Sequence, residues 1–225
     1  MAMLHEELRA RVAAMARVLH DRRLVVATAG NVSARVHDAD LIAITPSGVP
    51  YAGMRAEDVV LARLSDGAQV DGTWAPSTEL PLHRAVYAER PDVGGIVHTH
   101  SLYATMLGVA GRPLKPVHYA YGLLGEDIRT APYVRYGTEK LACEATRSLG
   151  SNGAVLLQHH GAITVGHTVE AALERAEMLE WLAQLQIGAE MLGPPLVLTE
   201  TQMAEAREAL VRYGPVRHDA ARPGQ

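Results

Sequence analysis

The sequence predicts a single-domain three-layer α/β/α protein whose central sheet is mixed and mainly antiparallel. Three observations predict it. Short apolar runs bounded by turn residues alternate with longer stretches of helical periodicity. The two kinds of element do not follow a strict β-α-β alternation, so the sheet cannot be all parallel. At 225 residues, 48% of them apolar and 20% charged, the chain can bury one sizeable core.

The elements follow in order. Residues 4–24 carry Leu8, Val12, Met15, Val18 and Leu19 at helical spacing. Charged residues interrupt this segment, so it is read as an amphipathic helix and not a signal peptide. Thr28 to Asn31 is a turn, residues 32–36 and 41–45 are strands, and Pro46-Ser47-Gly48 ends the second. Residues 55–58 form a helical turn. Residues 59–64 are a strand that turns back through Ser65-Asp66-Gly67 to Gln69-Val70. Pro76-Ser77-Thr78-Glu79 opens a helix that Pro91 stops. A buried strand follows at 95–100, then a helix at 102–108 with Gly108 near its C-cap, and short strands at 116–119 and 128–131. Thr138 caps a helix to Leu149. Residues 154–160 and 162–165 form one strand or two, with Gly161 as the break. Thr168 caps a long helix to about Leu192, and a last helix spans 202–213. The domain is expected to cover 1–213, with 214–225 as a mobile tail.

Composition excludes several classes. A net charge of −4, with no basic cluster larger than a pair, argues against nucleic acid. No apolar run reaches the ~20 residues of a membrane span. The lone Cys143 cannot form an intramolecular disulfide and suits a cytoplasmic protein; its helical context predicts inert, buried packing.

His98 and His100 close the apolar strand at 95–100. Side chains alternate along a strand, so both point the same way. Two imidazoles on one face, joined by a third from a neighbouring strand, match a metal site with one open position. His159 and His160 close the next apolar run. In a strand they face opposite ways, so one at most joins the metal, and the pattern does not choose between them.

Three polar turns offer anion chemistry: Gly30 to Ser33, Thr45 to Gly48, and Pro76 to Glu79. Their hydroxyls and free N–H groups suit a phosphate. His83 lies four residues after Glu79 on the same helix face, a place from which it could support the site, and a solvated or packing role is the reading preferred. Tyr119 offers a phenolic O–H, whose default is a buried, hydrogen-bonded role. His5, His20, His37, His167 and His218 have no partner pattern and are assigned to the surface.

Taken together, these residues resemble the class II aldolase/adducin family, and most of all its L-fuculose-phosphate aldolase branch. The resemblance runs through TAGNVSAR at 28–35, ITPSGVPY at 44–51, PSTE at 76–79, IVHTHS at 96–101 and VHY at 117–119. APYVRYGT at 131–138, LLQHHG at 156–161 and RYG at 212–214 continue it in colinear order. It implies a class II aldolase-like fold with zinc held by His98, His100, His160 and Glu79, manganese or cobalt being chemically possible too. It implies that Glu79 is the acid/base. It also implies that Asn31, Ser47, Gly48, Ser77 and Thr78 hold phosphate, and that Tyr119 donates a proton from a neighbouring subunit. Tyr136 and Tyr213 match aromatic positions lining the site. Family members are commonly homotetramers with sites between subunits. The reaction implied is reversible cleavage of a ketose 1-phosphate to dihydroxyacetone phosphate and an aldehyde through a metal-stabilised enediolate.

The family also contains sugar-phosphate 4-epimerases, sugar-acid-phosphate decarboxylases, a methylthioribulose-phosphate dehydratase, and adducin-type interaction modules without metal. Residues 98–105 resemble the epimerase stretch. The epimerases carry aspartate before the tyrosine, where this chain has His118. An adducin-type module implies lost ligands, whereas all three histidines and Glu79 are present.

Overall fold

A computed structural model describes residues 3–212 of the chain. Eight strands form one sheet: β1 (Asn31–Arg35), β2 (Leu41–Ile44), β3 (Val60–Arg63), β4 (Gln69–Asp71), β5 (Gly95–Thr99), β6 (Thr130–Ala131), β7 (Ala154–Leu157) and β8 (Gly161–Gly166). Their order across the sheet is β4-β3-β2-β1-β5-β8-β7-β6. Every pairing is antiparallel except β6 with β7. The helices are α1 (Glu6–Asp21), α2 (Leu80–Glu89), α3 (Leu102–Val109), α4 (Glu139–Leu149), α5 (Val169–Leu192) and α6 (Glu200–Val211). No described helix is long and apolar enough to cross a membrane.

The sheet is apolar on both faces, and alternation along each strand sorts the side chains. Ile42, Ile44, Ile96, Ile163 and Val165 pack into one cluster with Leu82 and Val86 of α2 and Leu141 and Ala145 of α4. Val32, Ala43, Leu61 and Val97 join a second cluster with Val12 and Leu19 of α1 and Ala172 and Ala176 of α5. A third, under α3 and α5, contains Leu107, Leu124, Leu156 and Leu182. Helices α2 and α4 thus cover one face of the sheet and α1, α3 and α5 the other, which are the three layers expected from sequence.

The predicted caps hold: Thr138 accepts from Leu141 N–H and Thr168 from Ala171 N–H. Five expectations are corrected. Residues 116–119 form no strand; Tyr119–Leu123 is a 3-10 turn, whose N-cap is His118. The break between β7 and β8 falls at residues 158–160, before Gly161, and this pair of strands is a hairpin. Pro76 to Glu79 precedes α2 instead of opening it, with Glu79 at the N-cap. Gly108 sits within α3, two residues before its C-cap Ala110. Cys143 is exposed, on the outer side of α4. Periodicity reports which residues share a face, but not which element covers that face. The end of the domain, the expected tail and His218 lie outside the described residues.

Candidate active site

The site stands at one end of the sheet, where β5 and β8 meet the turns before β1 and α2. His98 is opposite Asn31 in the β1–β5 register, and Thr99 is opposite Ala162 in β5–β8. His98 and His100 share a face, as alternation predicts. His160 arrives from the β7–β8 turn, which bends sharply because His159 adopts a left-handed φ of 54°. That bend points His160 inward and leaves His159 exposed. Two glycines permit the close approach. A Cβ on Gly30 (φ 82°) would stand 2.7 Å from the His98 carbonyl, and one on Gly161 would stand 2.1 Å from the Thr99 carbonyl.

Glu79, His98, His100 and His160 each offer a ligand atom, and these atoms lie within 4.8 Å of one another. His98 Nε2 is 3.0 Å from Glu79 Oε2 and 3.0 Å from His100 Nε2; His160 Nε2 is 3.3 Å from Glu79 Oε1. His98 Nδ1 donates to the Ala162 carbonyl at 2.9 Å, which commits its other nitrogen to the cluster. Glu79 Oε1 is buried without a hydrogen-bond partner among the described residues. This set of nitrogens and oxygens, with an unsatisfied buried carboxylate oxygen, fits a divalent cation.

The electrostatics agree. Burial acts to raise the Glu79 carboxyl. Charge on His98, its hydrogen bond, His160 and Asn31 outweigh burial and hold the group well below the usual carboxylate range. Burial pushes His100 down to about 3, helped by His98 and His160, and pushes His160 down to about 4. Both imidazoles are therefore neutral over the whole neutral range, the state a metal ligand needs. Burial also opposes charge on His98, but Glu79 and the Ala162 carbonyl raise its pKa. A cation would take the place of the proton that His98 Nε2 shares with Glu79.

A cavity of about 270 Å³ opens above this cluster. All three polar turns line it: residues 28–31, 46–48 and 77–79. His100, His160 and Tyr136 complete its wall. Ser47, Gly48 and Thr78 are exposed at its rim, while Ser77 is buried and its Oγ accepts from Glu79 N–H at 3.2 Å. Pro46 and Pro76 form an isolated bridge that ties two of these turns together.

Tyr119 is not brought to this cavity. It is 55% exposed, corrected from the buried tyrosine of the sequence reading. Tyr213 lies outside the described residues. Of the readings of His83, the solvated one is corrected. The residue is fully buried, and both ring nitrogens are engaged, by Asn31 and Ser33. The spacing Glu79–His83 placed it on the right helix face, but only the sheet shows that β1 covers that face.

The family described as Class II Aldolase and Adducin N-terminal domain matches residues 10–187.

The chain belongs to the class II aldolase and adducin family.

A 5-deoxy-D-ribulose 1-phosphate aldolase of Bacillus thuringiensis serovar kurstaki is 34% identical, over 94% of this chain and 99% of its own. A 5-methylthioribulose-1-phosphate/5-deoxyribulose-1-phosphate aldolase of Rhodospirillum rubrum is 37% identical, over 83% of each chain. A solved L-fuculose 1-phosphate aldolase superposes with a TM-score of 0.88 at 31% identity, covering 94% of this chain and 98% of its own. These relatives are class II aldolases, which are lyases, and the present chain is an enzyme of that class.

Proposed function

We propose that the protein reversibly cleaves a ketose 1-phosphate, of the L-fuculose 1-phosphate or 5-deoxyribulose 1-phosphate kind, to dihydroxyacetone phosphate and an aldehyde. One observation carries this reading: a buried carboxylate and three imidazoles sit at the floor of a cavity rimmed by three polar turns. The named substrates of the relatives share a ketose-phosphate head and differ at the other end. That pattern suits a site that is constant around phosphate and carbonyl.

His98, His100, His160 and Glu79 would hold the metal, zinc being the best match to this donor set. When bound, it supplies Lewis acidity toward the substrate's carbonyl and hydroxyl oxygens. Ser47 and Gly48, with Ser77, Thr78 and Asn31, anchor the phosphate, so binding energy goes into positioning the bond to be broken. Glu79, ionised and lining the cavity, takes the proton from the dihydroxyacetone phosphate carbon in the condensation direction and returns it in cleavage. Tyr136 closes one wall.

Tyr119 stands away from its own cavity, and in this reading it serves a neighbouring subunit's site, donating a proton to the aldehyde oxygen in condensation and taking it back from the hydroxyl in cleavage. An apolar stripe on α3 supports assembly. Leu102, Met106 and Val109 recur at helical spacing and are 63%, 44% and 53% exposed, and α5 adds exposed Trp181. His118 packs edge-on to Trp181 and lies against Tyr119, so this tyrosine borders the same surface. A homotetramer with sites between subunits is the assembly proposed.

The test is a panel of ketose 1-phosphates and ketose 5-phosphates, assayed for triose phosphate with zinc-loaded and chelator-treated enzyme. Triose phosphate is expected from 1-phosphates alone, lost on chelation and restored by zinc. Epimer formation without triose phosphate would overturn the aldolase reading in favour of an epimerase. Failure to bind any divalent ion would favour an interaction module.

A further inference from the structure

Behind Glu79 a chain of buried polar groups runs into the protein, away from the cavity. Asn31 Nδ2 is 2.9 Å from Glu79 Oε2, and Asn31 Oδ1 is 2.5 Å from His83 Nε2. His83 Nδ1 is 2.6 Å from Ser33 Oγ, which is 2.9 Å from the Tyr87 hydroxyl. Asn31 and Ser33 are two apart on β1; His83 and Tyr87 are four apart on α2. The strand's period and the helix's period thus bring four polar side chains into one line. His83 and Ser33 are fully buried, Tyr87 is 2% exposed and Asn31 3%. Nothing in the proposed reaction uses His83.

The chemistry of the groups dictates the direction of every bond. The ionised Glu79 only accepts, so the Asn31 atom facing it is the amide nitrogen. The Asn31 carbonyl oxygen then faces His83 and only accepts, so His83 Nε2 must donate. A neutral imidazole has one N–H, which leaves Nδ1 as an acceptor. Ser33 O–H donates to it, and Tyr87 O–H donates to Ser33. Burial raises Tyr87 beyond the usual phenol range and lowers His83 to about 3, so both keep these states at neutral pH. With the proton on Nδ1, His83 Nε2 would face the Asn31 carbonyl as one acceptor against another. Flipping Asn31 to relieve that clash would set its carbonyl against the carboxylate.

We propose that His83 is a positioning residue: as the neutral tautomer protonated on Nε2, it locks the Asn31 amide and thereby orients the Glu79 carboxylate toward His98, His100 and His160. Tyr87 and Ser33 set that tautomer from the far end. This inference rests on the reading of Glu79 and the three histidines as a metal centre. It gives Asn31 a duty besides phosphate, since only one amide N–H remains free.

Two measurements test it, neither of which depends on the sugar cleaved. Nitrogen-15 NMR of the full-length protein reads the His83 tautomer directly, with or without metal. Protonated Nε2 and bare Nδ1 are expected; a proton on Nδ1 overturns the proposal. Cobalt titration followed by its visible spectrum reads metal affinity. H83L removes donor and acceptor together and is expected to weaken affinity ~10–100-fold, the usual effect of losing a ligand's supporting hydrogen bond. H83Q offers an amide N–H to Asn31 and a carbonyl to Ser33, and is expected to recover most of that loss. A folded H83L that binds cobalt like the wild type overturns the proposal. Should H83L not fold, the tautomer and H83Q decide. Should the wild type bind no divalent ion, the metal-centre reading fails, and the tautomer still decides the relay.

Discussion

At the scale of single residues, the site separates groups that look alike in sequence. His159 and His160 are neighbours, yet one is exposed and the other faces Glu79. H160A is expected to abolish stoichiometric zinc binding in a chelator-competition titration, and H159A to leave it unchanged. E79Q should lower the cleavage rate ~10²–10⁴-fold, the range for loss of a general acid/base. A wild-type rate in E79Q would remove Glu79 from that role. The pH dependence of stability follows from the buried imidazoles. His83 titrates near 6.5 in an unfolded chain but at about 3 in the fold. Below pH ~6.5 the unfolded state takes up a proton that the folded state refuses, so stability falls with pH until about 3. His100 and His160 act in the same direction; His98, whose pKa is raised, acts in the opposite one. Melting curves of the metal-free protein should drop from pH 7 to pH 4, and H83Q, which cannot titrate, should show a shallower drop.

At the scale of elements, the β5–β8 pair and its flanking turns carry the site. Gly161 opens β8 with no room for a side chain. G161A is expected to cost ~1–3 kcal/mol in denaturant unfolding, as overpacking does, and to weaken metal binding, because His100 Cδ2 lies 3.2 Å from the position of the new carbon. Caps away from the site should act on stability alone. T168A, which removes the Thr168 bond to Ala171 N–H, should cost ~1 kcal/mol and leave metal affinity as it was. The elements themselves were largely legible, because strand alternation and capping residues are local signals. The segment at 116–119 was not. Its proline and apolar residues look extended, but His118 caps its own turn by accepting from Ala120 N–H. The residue pattern does not choose between His159 and His160 for a related reason, and only the family resemblance names His160: where β7 ends depends on its pairing with β8, which is not a local property.

At the scale of the whole molecule, the proposed assembly makes its own prediction. In that assembly another copy covers the exposed apolar stripe of α3 and the exposed Tyr119. Sedimentation should show a tetramer, and M106E should dissociate it with loss of activity. Mixed tetramers of E79Q and Y119F subunits should regain activity that neither parent has, since some sites would combine an intact Glu79 with a neighbour's intact Tyr119. A lack of complementation in verified hybrids would return Tyr119 to its own subunit's surface.

The amino-acid sequence by itself determined the three-layer class, the HxH pair that shares one face and the three turns that line the cavity. Each depends on residues close together in the chain, where spacing alone sets facing and turn chemistry. Only the tertiary structure shows that His159 is exposed while His160, the residue named by the resemblance, joins the cluster, that Glu79 is buried among the imidazoles, and that His83 is a buried, hydrogen-bonded group and not a solvated one. Those facts depend on which strand lies across from which helix. The packing of β1 against α2, 48 to 54 residues apart at the paired side chains, brings Asn31 to Glu79 and Ser33 to Tyr87. No local pattern encodes that distance.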